Sequence, residues 1–314
     1  MLAGLKLKQK KLRKNMTLNK TKQHVSVFLN ELVSLLTVEK DGWYIDATLG
    51  SGGHTKEILN QGGRVVAFDW DFEAIARAEK QFASEISDKK LVLAHEPFSR
   101  LKEVIESLRS QGVPSVVQGV IFDFGTSTEQ LMSEERGFSF RGDGVLDMRM
   151  DVRLAVMAKD IIAAVPVKQL AQLFRDFGGE IEAERIAKVI KSSPVPIETT
   201  KQLADLVIST KHKKARALHP ATKVFQALRI AVNSELTEIQ LALPQALTLL
   251  SSGSKLLCAS FHEGEDRLAK HYFQIWEEQG KGTRLHKKPV MPSEEEVDLN
   301  PRARSAKLRG FIKK

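Results

Sequence analysis

The stretch that most restricts what this chain can become is Trp43-Tyr-Ile-Asp46, followed at once by Ala47-Thr-Leu-Gly50-Ser-Gly-Gly53-His54. The first four residues read as a short buried strand, and the glycines after it as a tight turn in which a helix begins. The pattern then recurs. Arg64–Asp69 predicts a second strand, Phe72–Phe82 a helix, Leu91–His95 a third strand, Ser99–Gln111 a helix and Gly119–Asp123 a fourth strand. Strands alternating with helices imply βαβ units, and therefore a parallel sheet with right-handed crossovers. Upstream, Val27, Leu29, Leu32, Val33, Leu35 and Leu36 have helical spacing.

After Asp123 the texture changes. Gly125–Asp151 is rich in Gly, Ser, Arg, Asp and Met without a clear period, and reads as a long functional loop. From about Ala155 to Lys214 the pattern is helical only, broken by Pro194-Val-Pro196. It then returns to a helix through Phe225–Leu250 and a strand at Lys255–Phe261. The expected organisation is a basic leader over residues 1–23, a sheet domain built from 24–150 and 220–314, and an inserted helical substrate-recognition domain over 151–219.

The 314 residues carry 48 basic and 39 acidic side chains, and the imbalance is terminal. Met1–His24 holds eight basic residues and no acid, and Pro301–Lys314 holds six and no acid, so the body between them is net acidic. Such arms suit a polyanion, although solubilising ends look alike, and the leader also admits reading as a targeting peptide or as a prelude to a start at Met16. Cys258 is the single cysteine and fits a reducing compartment. The longest apolar runs fall far short of the roughly 18 residues of a membrane span. The eight histidines are dispersed, without zinc-ligand spacing, so no metal is expected.

In an open parallel sheet a ligand lies beyond the carboxyl ends of the strands, and here each ending is chemically suggestive. Gly50–Gly53 allows close backbone approach and presents free amides at a helix start, although a dinucleotide fingerprint would want glycine where Thr55 stands. Asp69 ends the second strand, where a carboxylate can accept both hydroxyls of an adenosine ribose, with Asp71 available as a helix cap. Phe98 follows the third strand, where an adenine could pack. Asp123 ends the fourth and faces mid-crevice. No anion cradle for a diphosphate is present, and a cationic ligand near Asp46 and Asp123 is favoured. S-adenosylmethionine fits best, its in-line methyl transfer demanding mainly alignment and desolvation.

The segments Asp46–Thr55, Glu134–Phe140, Asp143–Asp151, His219–Arg229, Ile230-Ala-Val-Asn-Ser-Glu235 and Asn300-Pro-Arg-Ala-Arg-Ser305 resemble the motifs of the RsmH (MraW) family, over about His24–Arg309. The resemblance implies a Rossmann-like class I methyltransferase sheet, of α/β class, with an inserted all-helical substrate domain. It also implies methylation of the exocyclic N4 of a cytidine in the P-site, decoding-centre region of small-subunit ribosomal RNA, in a bacterial cytoplasm or, alternatively, a mitochondrial matrix. Cofactor contacts would fall on Gly52, Gly53, His54, Asp69, Phe98, Asp123 and Gln130, of which His54 and Gln130 follow from the resemblance alone. The chain departs from the family at Ser260–Arg267 (Ser-Phe-His-Glu-Gly-Glu-Asp-Arg, against Ser-Phe-His-Ser-Leu-Glu-Asp-Arg), at Gly178–Ile181 and at Asp123–Gln130, keeping Asp123 and Gln130.

A cytosine amine is a poor nucleophile, and acceptors around its hydrogens would assist it. The Asp/Asn-Pro-Pro-Tyr/Phe signature of many amino-methyltransferases is absent. Asp123 and Asp147 are therefore the catalytic candidates, and the loops Asp123–Ser127 and Asp147–Asp151 the candidate cytosine pocket, unless Arg149 and Asp151 serve an internal salt-bridge network. An unstacked or single-stranded base is required. Substrate contacts are expected from Ser127, Arg149, Lys223, Arg229, Asn233, Arg302 and Arg304, with Lys211, Lys213, Lys214, Arg216, Lys307 and Arg309 as further phosphate candidates. The competing classes are a nucleotide-dependent oxidoreductase on the same sheet and a noncatalytic RNA-binding assembly factor.

Overall fold

Strands β1 (Trp43–Asp46), β2 (Arg64–Phe68), β3 (Leu91–Ala94), β4 (Val117–Asp123) and β5 (Leu250–Ser260) are parallel. Beyond them β6 (Gly282–Arg284) and β7 (Lys307–Lys313) add antiparallel pairings, giving the order β3-β2-β1-β4-β5-β7-β6. This is the parallel sheet that the strand-helix alternation anticipates, extended at one edge by β7 and β6. The computed structural model describes residues 26–127, 130, 133, 135–140, 142–211 and 219–314. The basic leader, Lys213, Lys214 and Arg216 lie outside the described residues.

Strand side chains alternate between two cores, as a sheet covered on both faces requires. Tyr44, Val65, Ala67, Ile121, Leu257 and Ala259 face one way, packing with α1 (Leu29–Leu36), α2 (Gly53–Asn60), α3 (Phe72–Gln81) and the neighbourhood of α4 (Ala83–Ser87). Trp43, Ile45, Val66, Phe68, Val120, Phe122, Leu256 and Cys258 face the other way, towards α5 (Leu101–Ser107) and two later helices.

A third core is helical. It gathers α6 (Ala158–Ala164), α7 (Val167–Gly178), α8 (Ala183–Lys191), α9 (Thr200–Thr210) and α10 (Thr222–Val232). In α8, Ala183, Ile186, Ala187 and Ile190 are buried, the i, i+3, i+4, i+7 stripe of an amphipathic helix. Helices α7 and α10 approach so closely that a Cβ on Gly178 would lie 2.2 Å from the Lys223 carbonyl oxygen. This core also takes in Phe138, Leu146, Met148 and Met150 before residue 151, and Ala221–Val232 after 219, so the helical body is wider on both sides than 151–219.

Two local expectations need correcting. The helix read through Phe225–Leu250 is two helices, α10 and α11 (Glu235–Leu249), because Ser234 adopts φ 50 between them and redirects the chain from the helical body back to the sheet. The carboxyl-terminal tail is also no free arm: it passes through α13 (Glu294–Leu299) and a turn at Pro301–Ser305 into β7. There Arg309 is buried against Asp266 of α12 (Glu263–Glu278) at 2.6 Å, and Lys307 bonds Glu263 and Asp266. Both cations are spent inside the fold.

Candidate active site

Because β1 has β2 on one side and β4 on the other, the chain leaves these strands in opposite directions and a crevice opens at their carboxyl ends. A cavity of about 400 Å³ occupies it. Beneath it the buried Asp46 accepts the Thr48 N–H at 3.2 Å and the Thr55 hydroxyl at 2.7 Å. Position 55, which breaks the dinucleotide pattern, therefore anchors the first strand's carboxylate. Asp46 stands behind the wall and acts on the cavity through its charge.

Asp69 lines the cavity. One of its oxygens accepts the Gly50 N–H and the other the Asp71 N–H, each at 2.9 Å, and these two bonds fix the carboxyl while leaving lone pairs for further donors. Gly50 reaches this position with φ 52. Burial, only partly offset by the two amides, pushes Asp69 up to about 7. Asp71 is the helix cap, accepting the Glu73 N–H at 3.1 Å, and it also receives Arg136 and the Gln130 amide, the latter at 2.8 Å. Gln130 and Ser127 bond reciprocally, closing the loop after β4. Phe98 meets Phe122 edge-on at 5.6 Å and Trp70 at 6.2 Å, forming an apolar wall beside Asp69.

Asp123 is held by its backbone N–H donating to Thr48 Oγ1 at 2.6 Å. Burial, then the charges of Asp46, Glu265 and Glu296, push its carboxyl well above the usual range. Its Oδ1 is buried without a hydrogen-bond partner, the kind of atom that a ligand satisfies. His54 faces Asp123 Oδ2 at 3.8 Å through Nδ1, while its Nε2 lies 3.2 Å from the Val27 carbonyl. Burial lowers the His54 pKa and keeps the ring neutral, with Nε2–H donating to Val27. These features fit S-adenosylmethionine: fixed acceptors for sugar hydroxyls at Asp69, aromatic packing at Phe98, and carboxylates that compensate a cation.

The cavity continues past Asp123 along Thr126, Ser127, Met150, Arg229, Glu235, Phe261, Glu265, Asn300, Arg302 and Arg304. Arg229 lies on this wall but is not available to phosphate: it is a buried fork onto both Glu235 oxygens at 2.7 Å. Among the described residues, Glu235, His262 and Glu265 bring ligand-capable atoms within 4.8 Å of one another. Arg229 already holds Glu235, and His262 Nδ1 accepts the Gly264 N–H at 3.1 Å, which leaves the ring's proton on Nε2. That donor set does not fit a cation.

Other candidates belong to the frame. Asp147 is not brought to the cavity; its two oxygens bind Arg149 at 2.7 and 2.9 Å, and Arg149 also donates to the Val152 and Leu154 carbonyls. Asp151 pairs with Arg153, so this run is an internal salt-bridge network. Asn233 is buried, receiving the Met150 N–H and donating to the Met148 carbonyl; it clamps the loop whose Met150 lines the cavity. Lys223 bonds the Gly179 carbonyl at the end of α7, and Lys211 is paired with Glu180 at 2.6 Å. Gly52 and Gly53 lie just behind the wall: Gly52 has φ 77 with Phe82 against it, and a Cβ on Gly53 would meet Ser26 Oγ at 2.2 Å.

Sequence reasoning missed Trp70, Phe124, Phe261, Glu235 and Glu265 on this wall. Trp70, Phe124 and Phe261 each lie within two residues of a strand's end, a position that could have flagged them. It also missed the segment Ser26–Phe28, which His54 ties to the cavity and Glu296 fixes by accepting the Phe28 N–H at 2.6 Å.

The sequence matches the MraW methylase family over residues 21–314. It is 40% identical over 295 residues to a ribosomal RNA small subunit methyltransferase H of Coprothermobacter proteolyticus, covering 93% of this chain and 96% of that one. To the protein of the same name in Shewanella sediminis it is 42% identical over 307 residues, covering 91% and 96%. Among solved structures it is similar to an rRNA methylase from Streptococcus thermophilus, at TM-score 0.43 and 12% identity over 89% of this chain and 91% of that one.

Proposed function

The chain belongs to the MraW methylase family, and from that premise we propose that it methylates small-subunit ribosomal RNA at the exocyclic N4 of a cytidine. S-adenosylmethionine is the methyl donor, and when bound it supplies an electrophilic methyl on a cationic sulfur. Asp69 would grip the ribose hydroxyls, Phe98 and Trp70 would pack the adenine, and Asp123 would stand at the boundary between donor and acceptor halves of the cavity. The acceptor base would enter past Phe261 and Thr126, with Arg302 and Arg304 at the mouth where a phosphate chain must pass.

The observation that carries the reading is Asp123 Oδ1: a buried carboxylate oxygen without a hydrogen bond, on the wall of a cavity that continues beyond the donor end. An amine N–H would meet that demand, whereas a carbon nucleophile offers no donor for it. The name shared by the relatives supports the ribosomal substrate. The test is nucleoside mass spectrometry of small-subunit RNA incubated with the protein and methyl-labelled donor. The expected product is cytidine methylated on its exocyclic nitrogen; label found only on carbon-5 or on ribose would reject the assignment.

A further inference from the structure

A second carboxylate oxygen shares the situation of Asp123 Oδ1. Glu265 lines the same cavity, and its Oε1 is buried and accepts no hydrogen bond. Its residue is nonetheless rigidly placed. The other oxygen, Oε2, accepts the N–H groups of Phe261 at 2.7 Å and His262 at 3.1 Å, locking the side chain across the first turn of α12. The His262 Nε2 lies 3.1 Å from Oε1 but off the line of a hydrogen bond, which leaves the oxygen's lone pairs open. Two fixed, undersatisfied acceptors therefore belong to residues lining one cavity, close enough that the Glu265 charge bears on Asp123. An apolar ligand would leave both oxygens stranded, and a second anion would be repelled. A planar primary amine, with two N–H donors about 120° apart, answers both.

We propose that Glu265 and Asp123 together accept the two N–H bonds of the acceptor's exocyclic amine, and that Glu265 takes the proton released on methylation. The proposal rests on the cytidine N4 reading and deepens it by naming the groups that recognise the amine. Holding both hydrogens draws them from the ring plane and frees the nitrogen lone pair. That pair forms the new N–CH3 bond as the S–CH3 bond breaks, its electrons going to sulfur, which becomes a neutral thioether. The nitrogen becomes cationic and strongly acidic, and one of its protons passes to Glu265 Oε1, restoring a neutral secondary amine. Burial alone would raise Glu265, but the His262 ring, Arg229 and the Phe261 amide outweigh it and hold the carboxyl below the usual range. Glu265 is thus ionised and able to accept a proton.

The experiment compares wild type, Glu265→Gln and Asp123→Asn in single-turnover methylation of small-subunit RNA, with calorimetric titration of S-adenosylmethionine. Glutamine retains a carbonyl oxygen for the Phe261 and His262 amides, so the helix start survives, but it offers N–H where an acceptor is needed. The expected result for Glu265→Gln is a methyl-transfer rate reduced about 100-fold or more, with donor affinity within about twofold of wild type. A rate within about threefold of wild type would overturn the proposal. If the variant does not fold, the wild-type protein decides: a crystal structure with S-adenosylhomocysteine and cytidine monophosphate must place N4 within hydrogen-bond distance of both Glu265 Oε1 and Asp123 Oδ1, and N4 elsewhere rejects it. Wild type that leaves the RNA unmethylated removes the substrate reading, and this inference with it. Wild type that methylates normally while Glu265→Gln does so equally well removes the inference alone.

Discussion

His54 bridges two parts of the chain that meet at the donor site: Nδ1 lies 3.8 Å from Asp123 Oδ2, and Nε2 lies 3.2 Å from the Val27 carbonyl. A first-turn residue of α2 thereby aligns the fourth strand's carboxylate with the segment that closes the cavity before α1. Replacing it with alanine unties Val27 while leaving Asp69 and Phe98 in place. The expected consequence of His54→Ala is a loss of about tenfold in S-adenosylmethionine affinity, the worth of roughly one hydrogen bond. Unchanged affinity by calorimetry would mean that Ser26–Phe28 is held without it.

Asp69 predicts a pH dependence of known sign. Its ordinary value of 3.8 is raised to about 7 in the folded chain, chiefly by burial. The folded state therefore retains a proton that the unfolded state has lost, and this group's contribution to stability declines as pH rises from 3.8 to about 7. Donor binding responds in the opposite direction, because ribose hydroxyls need the ionised carboxylate. Affinity should weaken below about pH 7, approaching about tenfold per pH unit. In Asp69→Asn this slope should vanish, and titrations of both proteins across that range would reveal a persisting slope if another group is responsible.

Arg229 and Glu235 form a buried pair rather than a phosphate contact. Removing one partner leaves the other charge buried and uncompensated. Arg229→Ala should cost about 3–5 kcal/mol of stability, visible as a large fall in Tm. Intact stability with weakened RNA binding would instead restore the role expected from sequence.

Arg304 lies exposed at the cavity mouth. Arg304→Ala should weaken RNA binding without altering donor affinity, and should reduce the slope of log affinity against log salt concentration by about one. An unchanged slope across a salt series would place the phosphate path elsewhere.

Much of the fold is legible because it is locally encoded. The endings at Asp46, Asp69, Phe98 and Asp123 each follow a short apolar run, so position along the strand is enough to bring them to one rim. What local pattern conceals is pairing. Asp147 and Arg149 read equally well as a base-binding pocket or an ion pair, and only their 2.7 Å contact separates the two. The tail Lys307-Leu-Arg-Gly-Phe-Ile-Lys313 advertises charge, and its strand character depends on β5 and β6 lying on either side.

The sequence by itself determined the α/β alternation, the glycine turn after β1 and the four strand-end groups, since periodicity and backbone preference act over a few residues. Tertiary structure alone decided which polar groups are consumed and which remain free. Glu296 meets Phe28 across 268 residues and Asn233 meets Met148 across 85, and such bonds depend on packing that no short stretch encodes. The same packing leaves Asp123 Oδ1 and Glu265 Oε1 buried and undersatisfied. A buried acceptor is defined by what fails to reach it, and that is a property of the whole fold.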